Sequence, residues 1–258
     1  GSEMCIRDSK DNVRQSVSGF DLTFSPAKSV SVAWALSDEE TARRIEKLHH
    51  QAVKEAMAWA EDNVFFTRSG KQGREQVKTK GVIASEFKHY DTRAGDPDMH
   101  SHVLVSNKVQ AEDGRWLSLD SKALHKQAQA ISHRYDSILN TLLSNDMGYT
   151  FTARDHGVNK EPTWEIEGIS ESLMESFSKR RRGAQPAYKR LVEEFVSARG
   201  TTPNSVEVGR LWQEAILETR DAKREPESLS ELRAGWKSEV SVRDNGQEEL
   251  ASICLLYT

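Results

Sequence analysis

Two strand-like runs, "KGVIASEFKHYD" over 80–91 and "MHSHVLVSNKVQ" over 99–110, are joined by the turn segment "TRAGDPD". That order predicts a hairpin, because Gly95 and Pro97 interrupt any element that would run through both. In a strand, residues two apart share a face. His100 and His102 therefore project together, and His89, on the partner strand, is placed to meet them across the ladder.

Three neutral imidazoles around one cation leave coordination positions open, as catalytic sites do and structural sites do not. A donor set with no carboxylate and no thiolate also leaves a dication its full charge. That suits polarising an anionic group such as a phosphodiester. The plainer alternative is three hairpin histidines that face solvent or fill a core. The two-residue spacing plus a third imidazole on the neighbouring strand favours one bound divalent ion of unspecified identity. His49, His50, His125, His133 and His156 sit singly or adjacent on polar helical or turn segments and show no such pattern.

Upstream, "FDLTF" alternates Phe20, Leu22 and Phe24 with Asp21 and Thr23, the signature of a half-buried strand. Asp21 is either an outward-facing acid or a general base near the ion. "SVSVAWAL" is open between strand and helix. Ser37 and Glu40 have capping-box spacing, and the helix they open places Ala42, Ile45, Leu48, Ala52, Ala56 and Trp59 on one face, to about Asp62. "RSGKQGRE" reads as a polar turn, and "EDGRW" as a turn before a short strand "WLSLD". A helix follows over 120–146, and "GYTFTARD" with "PTWEIEG" predicts a second hairpin. Helices are expected over 170–182, 186–199, 205–220 and 228–239, separated by "RGAQP", "RGTTPNS" and "KREPES".

The chain has 258 residues, 29% charged and 36% hydrophobic, which fits one large domain or two small ones. No apolar run approaches the roughly eighteen residues of a membrane helix. No secretory signal is visible, so membrane insertion is not expected and a cytoplasmic location is. The net charge of −4 argues against a basic nucleic-acid coat, although a local basic surface can bind phosphate on an acidic protein. The densest such run is "SKRRRG", with Lys179, Arg180, Arg181 and Arg182. It is a solvated helix end or a set of phosphate contacts. Lys88 and Arg93 flank the histidines and are candidate phosphate contacts too. Cys5 and Cys254 lie in "GSEMCIRDS" and "ICLLYT", stretches unlike the chain between them, which are read as non-native. Without them there is no cysteine, hence no disulfide framework and no thiolate site.

Taken together, "DLTFSPAKSVSVAWAL", "FKHYDTRAGDPDMHSHVLVSN", "DGRWLSLD" and "ESFSKRRRG" resemble successive segments of the MobF class of conjugative relaxases, the TrwC/TraI-like family of the HUH endonuclease superfamily. The resemblance runs from about residue 17 to about 240. It implies an α+β fold: an antiparallel sheet, the relaxase palm, with helices packed on it and a helical C-terminal part. It implies a site- and strand-specific nicking transesterase. A tyrosine hydroxyl attacks single-stranded plasmid DNA at the origin of transfer, with His89, His100 and His102 holding the metal. Asp21 takes the tyrosine's proton or orients a ligating histidine. The implied partners are that DNA strand and other conjugation machinery.

In the family the nucleophilic tyrosines lie upstream of "DLTFS". Here the tyrosines are Tyr90, Tyr135, Tyr149, Tyr188 and Tyr257, and none matches that position. The expectation is a relaxase domain over 10–240 that lacks its N-terminal nucleophile segment and is inactive by itself for covalent chemistry. Residues 1–9 would be a non-native tail, and 241–258 a linker and tail. Two other readings remain open at this point. One is a metal-dependent phosphodiester hydrolase using bound water, with Asp21 or Glu86 as base. The other is a non-catalytic single-stranded DNA-binding module.

Overall fold

The alternation in "GFDLTF" becomes β1 (Gly19–Phe24), which buries Phe20, Leu22 and Phe24 and leaves Asp21 and Thr23 on the other face. The computed structural model describes residues 17–157, 161–220, 222, 225 and 227–256. The first tail, Cys5 and Tyr257 lie outside the described residues, as does the side chain of Cys254.

The ambiguous "KSVSVAWAL" is a helix, α1 (Lys28–Leu36), buried from Ser29 to Leu36. A helix enclosed on all sides shows no amphipathic period, so the pattern could not separate it from a strand. Its buried serines are satisfied from afar. Ser29 Oγ accepts the Ile166 N–H at 2.7 Å, and Ser31 Oγ accepts that of Met99 at 3.3 Å. The second helix, α2 (Glu39–Asn63), is capped by Asp38, whose carboxylate accepts from Thr41 N and Oγ1. This corrects the Ser37–Glu40 capping box, since Ser37 is buried and closes α1 instead.

The polar turn expected at 68–75 proves to be the tip of a hairpin, β2 (Phe66–Ser69) and β3 (Glu75–Lys78). Then come β4 (Ala84–Asp91) and β5 (Pro97–Ser106), the predicted histidine hairpin, and a small ribbon of β6 (Lys108–Gln110) and β7 (Trp116–Ser118). The long α3 (Ser121–Met147) ends at Gly148, which takes the left-handed conformation glycine tolerates best. The second predicted hairpin forms as β8 (Phe151–Arg154) and β9 (Thr163–Ile166).

The helix expected over 170–182 is broken into α4 (Glu171–Ser176) and the start of α5 (Lys179–Arg199). The separator "RGAQP" does not separate, because α5 runs on through Pro186. A proline inside a helix costs about 3 kcal/mol. Opposing it, Ala184, Ala187, Leu191 and Phe195 form a continuous stripe packed on Leu211 and Ala215 of α6 (Ser205–Glu218). This α5–α6 pair has its own small core, separate from the main one. The chain closes with α7 (Leu229–Ser241) and α8 (Gly246–Leu255). The stretch read as linker and tail thus contains a helix, and its Ile253 is buried in the main core.

The class is α+β, with an antiparallel sheet of order β1–β5–β4 and three two-stranded ribbons. The inner face of the three-stranded sheet packs on α1 and α2, and α2 packs on α3. Among the described residues, no helix is long and apolar enough to cross a membrane.

Candidate metal centre

Strand pairing brings the histidines together. His89 on β4 lies directly opposite His100 on β5, and His102 lies opposite Phe87 of β4 and Thr23 of β1. Alternation along β5 turns Met99, Ser101, Val103 and Val105 inward and leaves Asp98, His100, His102 and Leu104 on the open face. The three imidazole centroids form a near-equilateral triangle with sides of 5.1, 4.9 and 5.1 Å. One nitrogen from each lies within 4.8 Å of the others, a spacing that one ion can bridge.

The Nδ1 atoms of two rings are already engaged. His102 Nδ1 is 2.9 and 3.0 Å from the two carboxylate oxygens of Asp21. His100 Nδ1 donates to the Asp98 carbonyl at 2.8 Å, with the Asp98 carboxylate at 3.6 Å. A ring whose Nδ1–H is donated presents a neutral Nε2 lone pair, the form that binds a metal. The histidine spared by those acceptors, His89, is also biased to the neutral form: its pKa is lowered by burial first, then by His100 and His102. The donor set therefore fits a divalent ion.

Asp21 reaches the cluster from the strand next to β5, with its carboxylate occupied by His102. Glu86, the other candidate base, is on the wrong face: it is bonded to His50 and to Ser101 Oγ, each at 2.7 Å. Lys88 does not share the face of the histidines. It is one residue from His89, so its side chain takes the opposite face, where Nζ lies 3.5 Å from Glu46. Tyr90 shares that face, stacked on Trp34 and donating to Glu46 at 2.9 Å. Hydrogen bonds from His50 above all, and from Tyr90, pull the Glu46 pKa down to about 2.

Sequence reasoning passed over His49. It is fully buried behind β5, with Nδ1 2.7 Å from Tyr135 Oη and Nε2 2.9 Å from Ser101 Oγ. Burial lowers its pKa to about 3, so the ring is neutral. A chain of donors runs Tyr135–His49–Ser101–Glu86 and anchors β5 between the two outward histidines. The available signal was position: His49 is four residues after Ile45 and three before Ala52, on the core face of α2.

The basic residues separate in space. Arg93 is exposed in the turn between β4 and β5. Lys179 Nζ is 2.7 Å from Glu239, and Arg182 donates to the Ser176 carbonyl at 2.9 Å. Arg180 and Arg181 line a groove of about 2580 Å³ between the main body and the α5–α6 pair. Ser25, Thr92 and Asp98 also line it, and the Asp98 carboxylate lies 3.6 Å from His100. Arg154, Trp164, Trp212 and Arg220 line it as well.

The chain is similar to proteins of one family. The TrwC relaxase family profile matches residues 3–242. The multifunctional conjugation protein TraI of Escherichia coli is 31% identical over 179 residues, which cover 66% of this chain and 10% of TraI. The chain spans a tenth or less of the curated relatives it matches. Among solved structures, a metal-bound conjugative relaxase TrwC in complex with oriT DNA superposes with a TM-score of 0.68 at 26% identity, covering 96% of this chain and 78% of that one. TrwC complexed with a 27-mer DNA comprising the recognition hairpin and the cleavage site gives 0.67 at 28% identity, covering 96% and 81%.

Proposed function

Since this chain belongs to the TrwC relaxase family, we propose that it acts as the DNA-recognition and metal-binding part of a conjugative relaxase, on single-stranded DNA at an origin of transfer. The observation that carries this reading is the open-faced His89–His100–His102 triangle with Asp21 behind His102, next to Asp98, which also lines a groove that includes arginine and tryptophan. His89, His100 and His102 would hold a divalent ion, which would supply Lewis-acid polarisation of a phosphodiester oxygen. Asp21 holds the His102 Nδ1–H and the Asp98 carbonyl holds that of His100, so both rings keep their Nε2 atoms turned to the open face. Arg180, Arg181 and Arg93 neutralise the backbone phosphates of the strand. In this reading the chain works in the cytoplasm and passes its DNA to other conjugation proteins.

The attacking hydroxyl is the remaining part. Tyr90 faces the helical side of the sheet, Tyr135 and Tyr149 are buried, and Tyr188 packs on Trp212. None of these described tyrosines belongs to the triad's open face, so the reading assigns the attack to a tyrosine outside the described residues. The carboxylate of Asp21 is committed to His102, which favours orientation of the ring over a role as base.

The test is selection of binding strands from a random single-stranded DNA pool, with and without a divalent ion, followed by denaturing electrophoresis. A defined sequence should be enriched, its binding should strengthen with the ion, and any denaturant-resistant protein–DNA band should not map to Tyr90, Tyr135, Tyr149 or Tyr188. No enrichment and no response to the ion would defeat the relaxase reading. A covalent bond to one of those four tyrosines would defeat the assignment of the attack.

A further inference from the structure

Helix α3 turns Leu124, Ile131, Tyr135, Leu139, Leu143 and Met147 into the core. Beside that apolar stripe, His133, Asp136, Ser137, Asn140, Thr141 and Ser144 line the groove. Their steps of three and one keep them on a single helix face. Three are already occupied. His133 pairs with Glu161 at 3.1 Å, Thr141 Oγ1 donates to the Ser137 carbonyl at 2.7 Å, and Ser144 Oγ donates to the Tyr149 carbonyl at 2.8 Å.

Asp136 and Asn140 differ. They lie one helical turn apart and half-buried, and no side-chain hydrogen bond to either is found among the described residues. Their polar atoms remain open to the groove and are free to bond whatever enters it. Burial pushes the Asp136 pKa up to about 6, opposed only by His133.

The other walls indicate the occupant. Arg180, Arg181 and Arg220 supply positive charge, whereas Arg154 is paired with Glu171, and Trp164, 52% exposed, offers an aromatic face. Cationic side chains with open aromatic faces suit a single nucleic-acid strand, with phosphates on the arginines and bases stacked on the rings. The strand's base edges then meet the α3 stripe. Carboxylate and carboxamide groups are the side chains that distinguish bases by their exocyclic amines: aspartate accepts from cytosine N4, and asparagine pairs with adenine N6 and N7.

We propose that Asp136 and Asn140 are specificity-determining residues that read bases of a DNA strand seated in this groove, away from the metal centre. This rests on the DNA-binding reading above and adds to it where sequence discrimination resides.

The experiment compares the strand enriched by selection with a scrambled strand of the same composition, using the whole chain and fluorescence titration at several salt concentrations. Asp136→Ala and Asn140→Ala should each reduce the preference for the selected strand roughly tenfold, with the salt slope unchanged. The melting temperature of the free protein should change little, since neither side chain bonds another described residue. Asp136→Asn should change which base is preferred at one position rather than abolish preference. If wild type discriminates and both alanine variants discriminate equally well, this inference is overturned while the relaxase reading stands. If wild type shows no preference for any strand, both are overturned.

Discussion

The carboxylate of Asp96, in the turn between the two histidine strands, accepts the backbone N–H of Lys179 at 2.7 Å. Its side chain is 2% exposed, and the Lys179 ammonium lies 3.7 Å from its other oxygen. The first turn of α5 holds four cations and no acid of its own. Cations there oppose the helix dipole, and a carboxylate complements it. The missing cap thus comes from the metal hairpin. The same turn is pinned by Trp236, whose Nε1–H donates to the Gly95 carbonyl at 2.8 Å, and by Lys28, which donates to the Pro97 carbonyl at 2.8 Å. Asp96→Ala should therefore destabilise the protein by about 1–2 kcal/mol, and Asp96→Asn, which keeps an acceptor, by less. Urea unfolding monitored by circular dichroism measures both. An unchanged midpoint for Asp96→Ala would show that the cap contributes nothing.

Metal affinity should depend on Asp21 although it is not a ligand. Outer-shell partners of a ligating histidine typically change affinity by about 10–100-fold. Asp21→Asn should weaken divalent-ion binding within that range, and His100→Ala should remove it. Calorimetric titration of the ion into the purified chain reads both, without reference to DNA. Equal affinity in Asp21→Asn and wild type would mean that the carboxylate does not orient His102.

Acid should destabilise the fold through His49. An imidazole in an unfolded chain titrates at about 6.5, whereas in the fold burial lowers this one to about 3. Between those values the unfolded chain binds a proton that the folded chain refuses, so stability falls as pH drops from about 6.5. Glu46, held at about 2 against its usual 4.5, adds a loss of the same sign at lower pH. Melting temperatures between pH 5 and 7.5 should fall with acid in wild type and fall less in His49→Gln, which can hydrogen-bond without titrating. Parallel curves for the two proteins would rule His49 out as the source.

The salt dependence of DNA binding should divide the basic residues. Each lost phosphate contact lowers the slope of log affinity against log salt by about 0.7 for a single strand. Arg180→Gln and Arg181→Gln, in the groove, should each flatten the slope by about that amount. Lys88→Gln, whose side chain lies across the sheet beside Glu46, should leave it unchanged. The opposite pattern would place the strand on the helical face of the sheet.

Much of the histidine cluster was legible in the sequence, because strand alternation is a local property. A spacing of two puts His100 and His102 on one face in any strand, and the Gly-Asp-Pro turn folds His89 back beside them. The same rule already separates Lys88 and Tyr90 from His89, and the residue type of Lys88 obscured it. Pairing partners were another matter. That Asp21 meets His102 depends on β1 joining the outer edge of β5, with Thr23 opposite His102. The sequence supplies an alternating acid but no register between strands some eighty residues apart. Whether "KSVSVAWAL" is helix or strand depended on its complete burial, which erases the periodicity that would have identified it. The neutral His49, the Asp96 cap on α5 and the unpartnered Asp136 and Asn140 are likewise products of packing. Hydrogen-bond partners and solvent access are set by distant segments meeting in the core, so only the tertiary structure could decide them, whereas the face on which a side chain leaves a strand is set by its immediate neighbours.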